Sequence, residues 1–147
     1  MDIFECIETR RSVRTYEDRP VSEEDMDRLL ALGIKAATGS ALEPWGFVII
    51  NDKEEIESWS DKIKADLLAR LESLPHMRRY ENGLKNPKFN VFNGASTVVV
   101  IYGHATSHWK TYDCSMVACN MMLAGNAMGI GTCWIGMISV IVPALNE

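Results

Sequence analysis

The sequence predicts an α+β fold in which helices pack on a sheet. Stretches whose apolar residues recur at three and four positions alternate with short runs rich in Val and Ile. No internal repeat and no Pro/Gly/Ser-rich linker interrupts that alternation, so residues 1–147 read as one domain with layered architecture. At 147 residues and 47% hydrophobic, the chain is of ordinary globular composition. A chain of this size buries roughly two-thirds of its unfolded surface, enough for a core without disulfides or structural metals.

The elements follow in order. Ile3, Phe4 and Ile7 share one face of a short helix over Asp2–Thr9, and Arg10–Tyr16 alternates as an extended segment does. Ser22 with Asp25 three positions on has the form of a capping box. It opens a helix whose Met26, Leu29, Leu30, Ile34 and Ala37 form the apolar stripe. Thr38–Pro44 is a turn-rich loop, and Phe47–Ile50 is a short strand bounded by Asn51 and Asp52. A longer helix then carries Ile56, Trp59, Ile63, Leu67, Leu71 and Leu74, with Pro75 as its stop. From Pro75 to Gly94 the chain is polar and long enough for a lid or mobile excursion, although Tyr80, Phe89 and Phe92 imply that it packs on something. Thr97–Tyr102 is a continuous Val/Ile run, the mark of a central strand covered on both faces. Asp113 is placed to cap the next helix, which runs apolar on nearly every side to about Met128. Gly129–Gly131 ends it, and Thr132–Ile135 reads as a further strand.

Charge excludes several functions. Fifteen basic against twenty acidic residues give a net charge of −5, which repels nucleic acid and anionic membranes from the chain as a whole. From Phe89 onward only Lys110, Asp113 and Glu147 are charged, and the 33 residues from Cys114 to Asn146 carry none. That run is long enough to span a bilayer. Gly125, Gly129, Gly131 and Gly136 break it into pieces, Asn120 and Asn126 interrupt its apolar surface, and no Lys or Arg flanks it. It therefore reads as a helix and strand buried in the core or against a second subunit. Met1–Thr9 has no signal-peptide pattern, and Cys6, Cys114, Cys119 and Cys133 show no CxxC pairing, so a cytoplasmic location with buried, reduced thiols is expected.

Arg10-Arg11-Ser12-Val13-Arg14 is the sharpest local feature. In an extended chain Arg10, Ser12 and Arg14 project to one side at intervals of about 6.6 Å. Two guanidiniums flanking a hydroxyl suit a phosphate, because the planar fork pairs bidentately with anionic oxygens. A solvated basic turn and a kinase recognition site of the Arg-Arg-x-Ser type are the competing readings. In the loop Thr38–Trp45, rich in small residues, Gly39 and Ser40 would let a planar ligand approach the backbone, against the alternative of a plain turn anchored by Trp45. Gly129-Ile130-Gly131-Thr132-Cys133-Trp134 is not a dinucleotide fingerprint: Trp134 stands at the third glycine's position, and the pattern follows a helix instead of opening one. His104 and His108 lack a matching ligand pair at metal spacing and are read as loop residues, so no metal site is expected. Hydrolase and P-loop patterns are not present.

Together, three ordered pieces resemble the FMN-dependent nitroreductase family. They are Arg-Arg-Ser-Val-Arg after a short helix, Gly-Ser-x-x-x-Pro-Trp-x-Phe before the first strand, and Asp113…Ala118-x-Asn120-Met121-Met122-Leu123-Ala124…Gly129-Ile130-Gly131-Thr132-Cys133-Trp134-Ile135-Gly136. The resemblance runs from about Ile3 to Gly136. It implies a mainly antiparallel central sheet flanked by helices, an intertwined homodimer with FMN at the subunit interface, and the uncharged helix as the central dimer helix.

The resemblance further implies that Arg10, Arg11, Ser12 and Arg14 hold the FMN phosphate and ribityl chain. Thr38, Gly39, Ser40 and Ala41 match a loop that reaches the flavin from the other subunit, and Trp134, Ile135 and Gly136 match the segment lining the isoalloxazine ring. The chemistry implied is ping-pong hydride transfer from NADH or NADPH through FMN to a small acceptor such as a nitro compound or quinone. The cofactor carries that chemistry, so no side chain is named as catalytic. Where the family usually has Asn and Gln, this chain has Ala41 and Glu43. It also stops soon after Gly136, short of the family's further strand and basic C-terminal segment, and so reads either as a short variant or as part of a longer protein. Flavin-destroying, dehalogenating or dehydrogenating chemistry on the same fold, and a non-catalytic dimeric binding module, are the alternatives.

Overall fold

The computed structural model describes residues 1–140. Five α-helices and two strands are joined by three 3₁₀ turns among them: α1 (Ile3–Thr9), α2 (Glu23–Gly33), β1 (Trp45–Ile50), α3 (Lys53–Ala69), α4 (Glu81–Lys85), β2 (Val98–Gly103) and α5 (Lys110–Ala127). The 3₁₀ turns are Gly39–Ala41, Pro75–Tyr80 and Gly136–Val140. The fold is α+β. Strands β1 and β2 pair antiparallel, with Trp45 opposite Gly103 and Ile50 opposite Val98.

Side chains alternate across the ribbon, and the alternation divides the core in two. Trp45, Phe47, Val99 and Ile101 face a cluster built on Leu29 of α2 with Val117 and Met121 of α5. Ile50, Val98 and Val100 face the larger cluster, which contains Ile56, Ile63 and Leu67 of α3. The continuous Val/Ile run of β2 thus contributes to both clusters, as its composition predicts, but among the described residues it pairs with β1 alone and is not a central strand, and Tyr102 and Val48 stay exposed.

Capping explains most helix starts. Ser22 Oγ accepts from the Asp25 amide and donates to the Asp25 carboxylate, and Asp2 and Asp52 accept from the amides of Glu5 and Glu55. Helix α5 ends in a Schellman turn: Gly129 takes φ +75°, the Ile130 amide donates to Gly125 O at 2.8 Å and the Gly129 amide to Asn126 O. Asn126 is polar for a structural reason, since its Nδ2 donates to Cys6 O at 3.0 Å and Thr9 Oγ1 at 3.1 Å and ties α1 to α5.

Four sequence expectations are corrected. Helix α3 stops at Arg70 and not at Pro75; Pro75 instead opens a 3₁₀ turn, where its missing N–H costs nothing. The 75–94 segment is no lid, because Met77, Leu84, Val91 and Phe92 are buried in the larger core cluster. Its backbone is pinned as well, with Lys64 Nζ donating to Phe89 O and the Val91 amide donating to the buried Ser60 Oγ. Asp113 is not the cap of α5: Trp109 occupies that position, and Asp113 lies inside the first turn. Thr132–Ile135 forms no strand among the described residues, only a single parallel bridge from Thr132 to Ser12. No described helix is long and apolar enough to cross a membrane.

Candidate functional site

The arginine segment leaves α1 in extended conformation and is held against the chain that follows α5. The Val13 amide donates to Thr132 O at 2.9 Å, and Tyr16 Oη donates back to Val13 O at 2.6 Å. Gly131 makes the approach possible, since a Cβ there would meet Val13 Cγ1 at 2.9 Å. Two stretches more than a hundred residues apart are therefore in direct contact.

The guanidiniums in this corner differ. Arg11 Nη1 donates to Glu8 O and Arg10 O and closes the end of α1. Arg14 Nη1 reaches back to Ser12 O at 3.3 Å. The Arg10 side chain makes no hydrogen bond or ion pair among the described residues, and neither Arg10 nor Arg14 is matched to a carboxylate there. Burial pushes the Tyr16 phenol above its ordinary value, the nearby Cys133 adds to the rise, and Arg14 opposes it. Tyr16, Cys133 and Arg14 thus share one electrostatic neighbourhood.

Beyond Cys133, Trp134 is 63% exposed, and a Cβ on Gly136 would sit 3.5 Å from its ring. The indole borders a shallow apolar groove whose floor is Ser115, Ala118 and Met122 of α5. Ile135 packs the other way, against the larger core cluster. A second exposed stripe of α5 carries Tyr112, Met116 and Cys119, so of the four thiols expected to be buried Cys119 is exposed and only Cys6 is fully buried, and Phe4 of α1 is 74% exposed.

The loop Thr38–Ala41 lies elsewhere. The Gly39 amide donates to Asp113 Oδ1 at 2.9 Å in the first turn of α5, and a Cβ at Gly39 would fall 2.6 Å from the Trp109 ring. Ser40, Ala41 and Glu43 have φ of 59°, 54° and 45°, a left-handed conformation that residues other than glycine rarely adopt. The arginine segment, by contrast, sits near the last turn of α5, where a Cβ at Gly125 would contact Thr132. At 1.5 Å per residue, Asp113 and Gly125 are about 18 Å apart along the helix. One chain therefore joins the arginine segment to Gly131–Cys133 and keeps the 38–41 loop at the opposite end of α5. Asp113, Trp109 and Tyr16 are the residues sequence reasoning missed; their partners are distant in sequence or backbone atoms, and no local pattern announces them.

The nitroreductase family model matches residues 7–146. The chain belongs to the nitroreductase family. A Methanothermobacter thermautotrophicus relative named "Putative NADH dehydrogenase/NAD(P)H nitroreductase" is 30% identical over 138 residues, covering 93% of this chain and 62% of that one. The chain thus spans about six-tenths of that relative's length. Among solved structures, an FMN-dependent nitroreductase from Clostridium difficile R20291 is 27% identical with a TM-score of 0.75, covering 99% of this chain and 71% of that one. A nitroreductase with bound FMN from Bacteroides fragilis NCTC 9343 shares the fold at a TM-score of 0.86 and 24% identity, over 99% of this chain and 76% of its own.

Proposed function

We propose that this nitroreductase-family chain is an FMN-dependent NAD(P)H oxidoreductase that works as a homodimer on a small acceptor such as a nitro compound or quinone. One observation carries the reading: the Val13–Thr132 bond sets an arginine segment whose Arg10 and Arg14 have no carboxylate partner among the described residues beside the segment that ends in an exposed Trp134. Such a corner fits a ligand with a phosphate at one end and a flat ring system at the other. When bound, FMN supplies the chemistry, accepting a hydride from NADH or NADPH and then passing reducing equivalents to the acceptor in a ping-pong sequence.

This chain's residues bind and orient. Arg10 and Arg14 hold the phosphate by charge-assisted hydrogen bonds, with the Ser12 hydroxyl between them. Arg11, whose Nη1 is committed to the end of α1, adds positive charge and steadies the segment. Trp134 and Gly136 line the ring and exclude water from one side of it, while Ile135, whose side chain packs into the core, contributes through its backbone. Thr38, Gly39, Ser40 and Ala41 serve the site of a second copy: because the loop and the arginine segment lie at opposite ends of α5, antiparallel apposition of two α5 helices brings one chain's loop to the other's arginines. The exposed Tyr112, Met116 and Cys119 stripe supplies an apolar surface for that contact. A cytoplasmic location belongs to the same reading.

Replacing Arg10 and Arg14 together by Ala tests it. FMN affinity falls at least about a hundredfold, since charge-assisted bonds contribute roughly 1.5–3 kcal/mol each. The thermal midpoint of the flavin-free protein stays close to that of the unsubstituted chain, because neither side chain supports the core. Unchanged flavin affinity refutes the assignment of the phosphate.

A further inference from the structure

We propose that Asp113 is a positioning residue: from the first turn of α5 its carboxylate holds the Gly39 amide and thereby sets the Thr38–Ala41 loop in the conformation that flavin binding requires. The proposal rests on the functional reading above for the loop's contact with flavin; the clamp itself is a property of the free chain.

The first argument is where the carboxylate sits. Asp113 is 4% exposed and is the one charged residue between Lys110 and the last described residue. It shares a helix face with Val117 and Met121, where an apolar side chain would simply extend the core. Burying a carboxylate there is costly unless its oxygens are used. Among the described residues no cation pairs with it. Oδ1 accepts the Gly39 N–H at 2.9 Å, while Oδ2 is buried with no hydrogen-bond partner among the described residues. What this buried charge does is hold one backbone amide 74 residues away.

The second argument is what that amide controls. Trp109 closes the other side of Gly39, with Cγ and Cδ1 both 2.6 Å from where a Cβ would stand, so the residue is fixed by a bond and by an indole at once. Directly after it, Ser40 and Ala41 are left-handed, and Glu43 is left-handed two positions later. Non-glycine residues persist there only when the surroundings over-determine them. Downstream the loop is anchored by the His104 amide donating to Pro44 O at 2.7 Å, and upstream by Asp113. Without the upstream anchor, the strained residues relax and the competent conformation becomes a minor one. Apparent affinity for a ligand then falls in proportion to that population.

The test compares the unsubstituted chain with Asp113→Ala and with Asp113→Asn, which keeps a carbonyl oxygen as acceptor. Amide exchange is read on the flavin-free protein and affinity by FMN titration. In the unsubstituted chain the Gly39 amide exchanges at least about tenfold more slowly than those of Ser40 and Ala41. Equal rates overturn the clamp without any variant being needed, so a failure of Asp113→Ala to fold does not rescue it. Asp113→Ala abolishes the Gly39 protection and weakens FMN binding about tenfold or more, and Asp113→Asn returns both to within about threefold. Lost protection in Asp113→Asn overturns the proposal, as does lost protection with unchanged flavin affinity in Asp113→Ala. An unsubstituted chain that binds no FMN refutes the flavin reading instead, a separate result because Gly39 exchange is measured without flavin.

Discussion

Substituting Gly131 by Ala strikes the contact on which the proposed phosphate site depends. A Cβ at that position lies 2.9 Å from Val13 Cγ1 and 3.0 Å from both its Cβ and Cγ2. A rotamer change can withdraw at most one of the two methyl groups, and Val13 Cβ is fixed to the backbone, so the Ser12–Arg14 segment must retreat from Thr132 by a few tenths of an ångström. That retreat lengthens the Val13 N–H to Thr132 O bond, now 2.9 Å. Overpacking costs about 1–3 kcal/mol and a weakened backbone bond up to about 1 kcal/mol more. Val13 is only half-buried and yields in part, which puts the expected destabilisation at about 2 kcal/mol. Urea denaturation of the flavin-free protein reads it, and FMN titration reads the displaced arginines as weakened binding. Val13→Ala in the same chain removes both methyl contacts and recovers at least about 0.5 kcal/mol relative to additivity. Strictly additive effects, or a single variant within about 0.5 kcal/mol of the parent, refute the apposition of the two segments.

Three further outcomes are expected. Ala41→Gly stabilises the flavin-free protein by about 0.5–1 kcal/mol, because relief of the left-handed strain at φ 54° (about 1–2 kcal/mol) exceeds the added unfolded-state entropy; a lowered denaturation midpoint contradicts it. Asn126→Ala removes the two bonds to Cys6 O and Thr9 Oγ1 and costs about 1–3 kcal/mol, with faster amide exchange confined largely to α1. Stability also declines as pH rises above the ordinary tyrosine value of 10.0: the folded chain keeps Tyr16 protonated there, whereas unfolding lets the phenol ionise. Tyr16→Phe lacks that component of the decline, and identical alkaline profiles for the two proteins contradict the assignment.

What could be read from the sequence was whatever depends on neighbours in the chain. The Ser22 cap, the apolar spacing of Met26 and Leu29, the doubly covered run of β2 and the glycine stop after α5 are local patterns, and each is present. The 75–94 segment misled because Met77, Leu84, Val91 and Phe92 reach one core through a 3₁₀ turn, a short helix and a loop, so their spacing follows no single period. Asp113 resembled a cap because Asp often is one; its partner, Gly39, is 74 residues away and leaves no trace in local pattern. The same holds for the site. The arginine motif was visible as residues, but its contact with Gly131 and Thr132, and the separation of the 38–41 loop by the length of α5, exist only in three dimensions. Thr132–Ile135 has the composition of a strand, yet residue type alone does not supply a partner along its length.

The most direct test of the central claim is the visible absorbance spectrum of the purified protein with FMN, followed by anaerobic titration with NADH and with NADPH. The account predicts a bound-flavin spectrum that bleaches with at least one nicotinamide and returns when a nitroarene or quinone is added. A protein that stays colourless after addition of FMN and removal of the excess contradicts it.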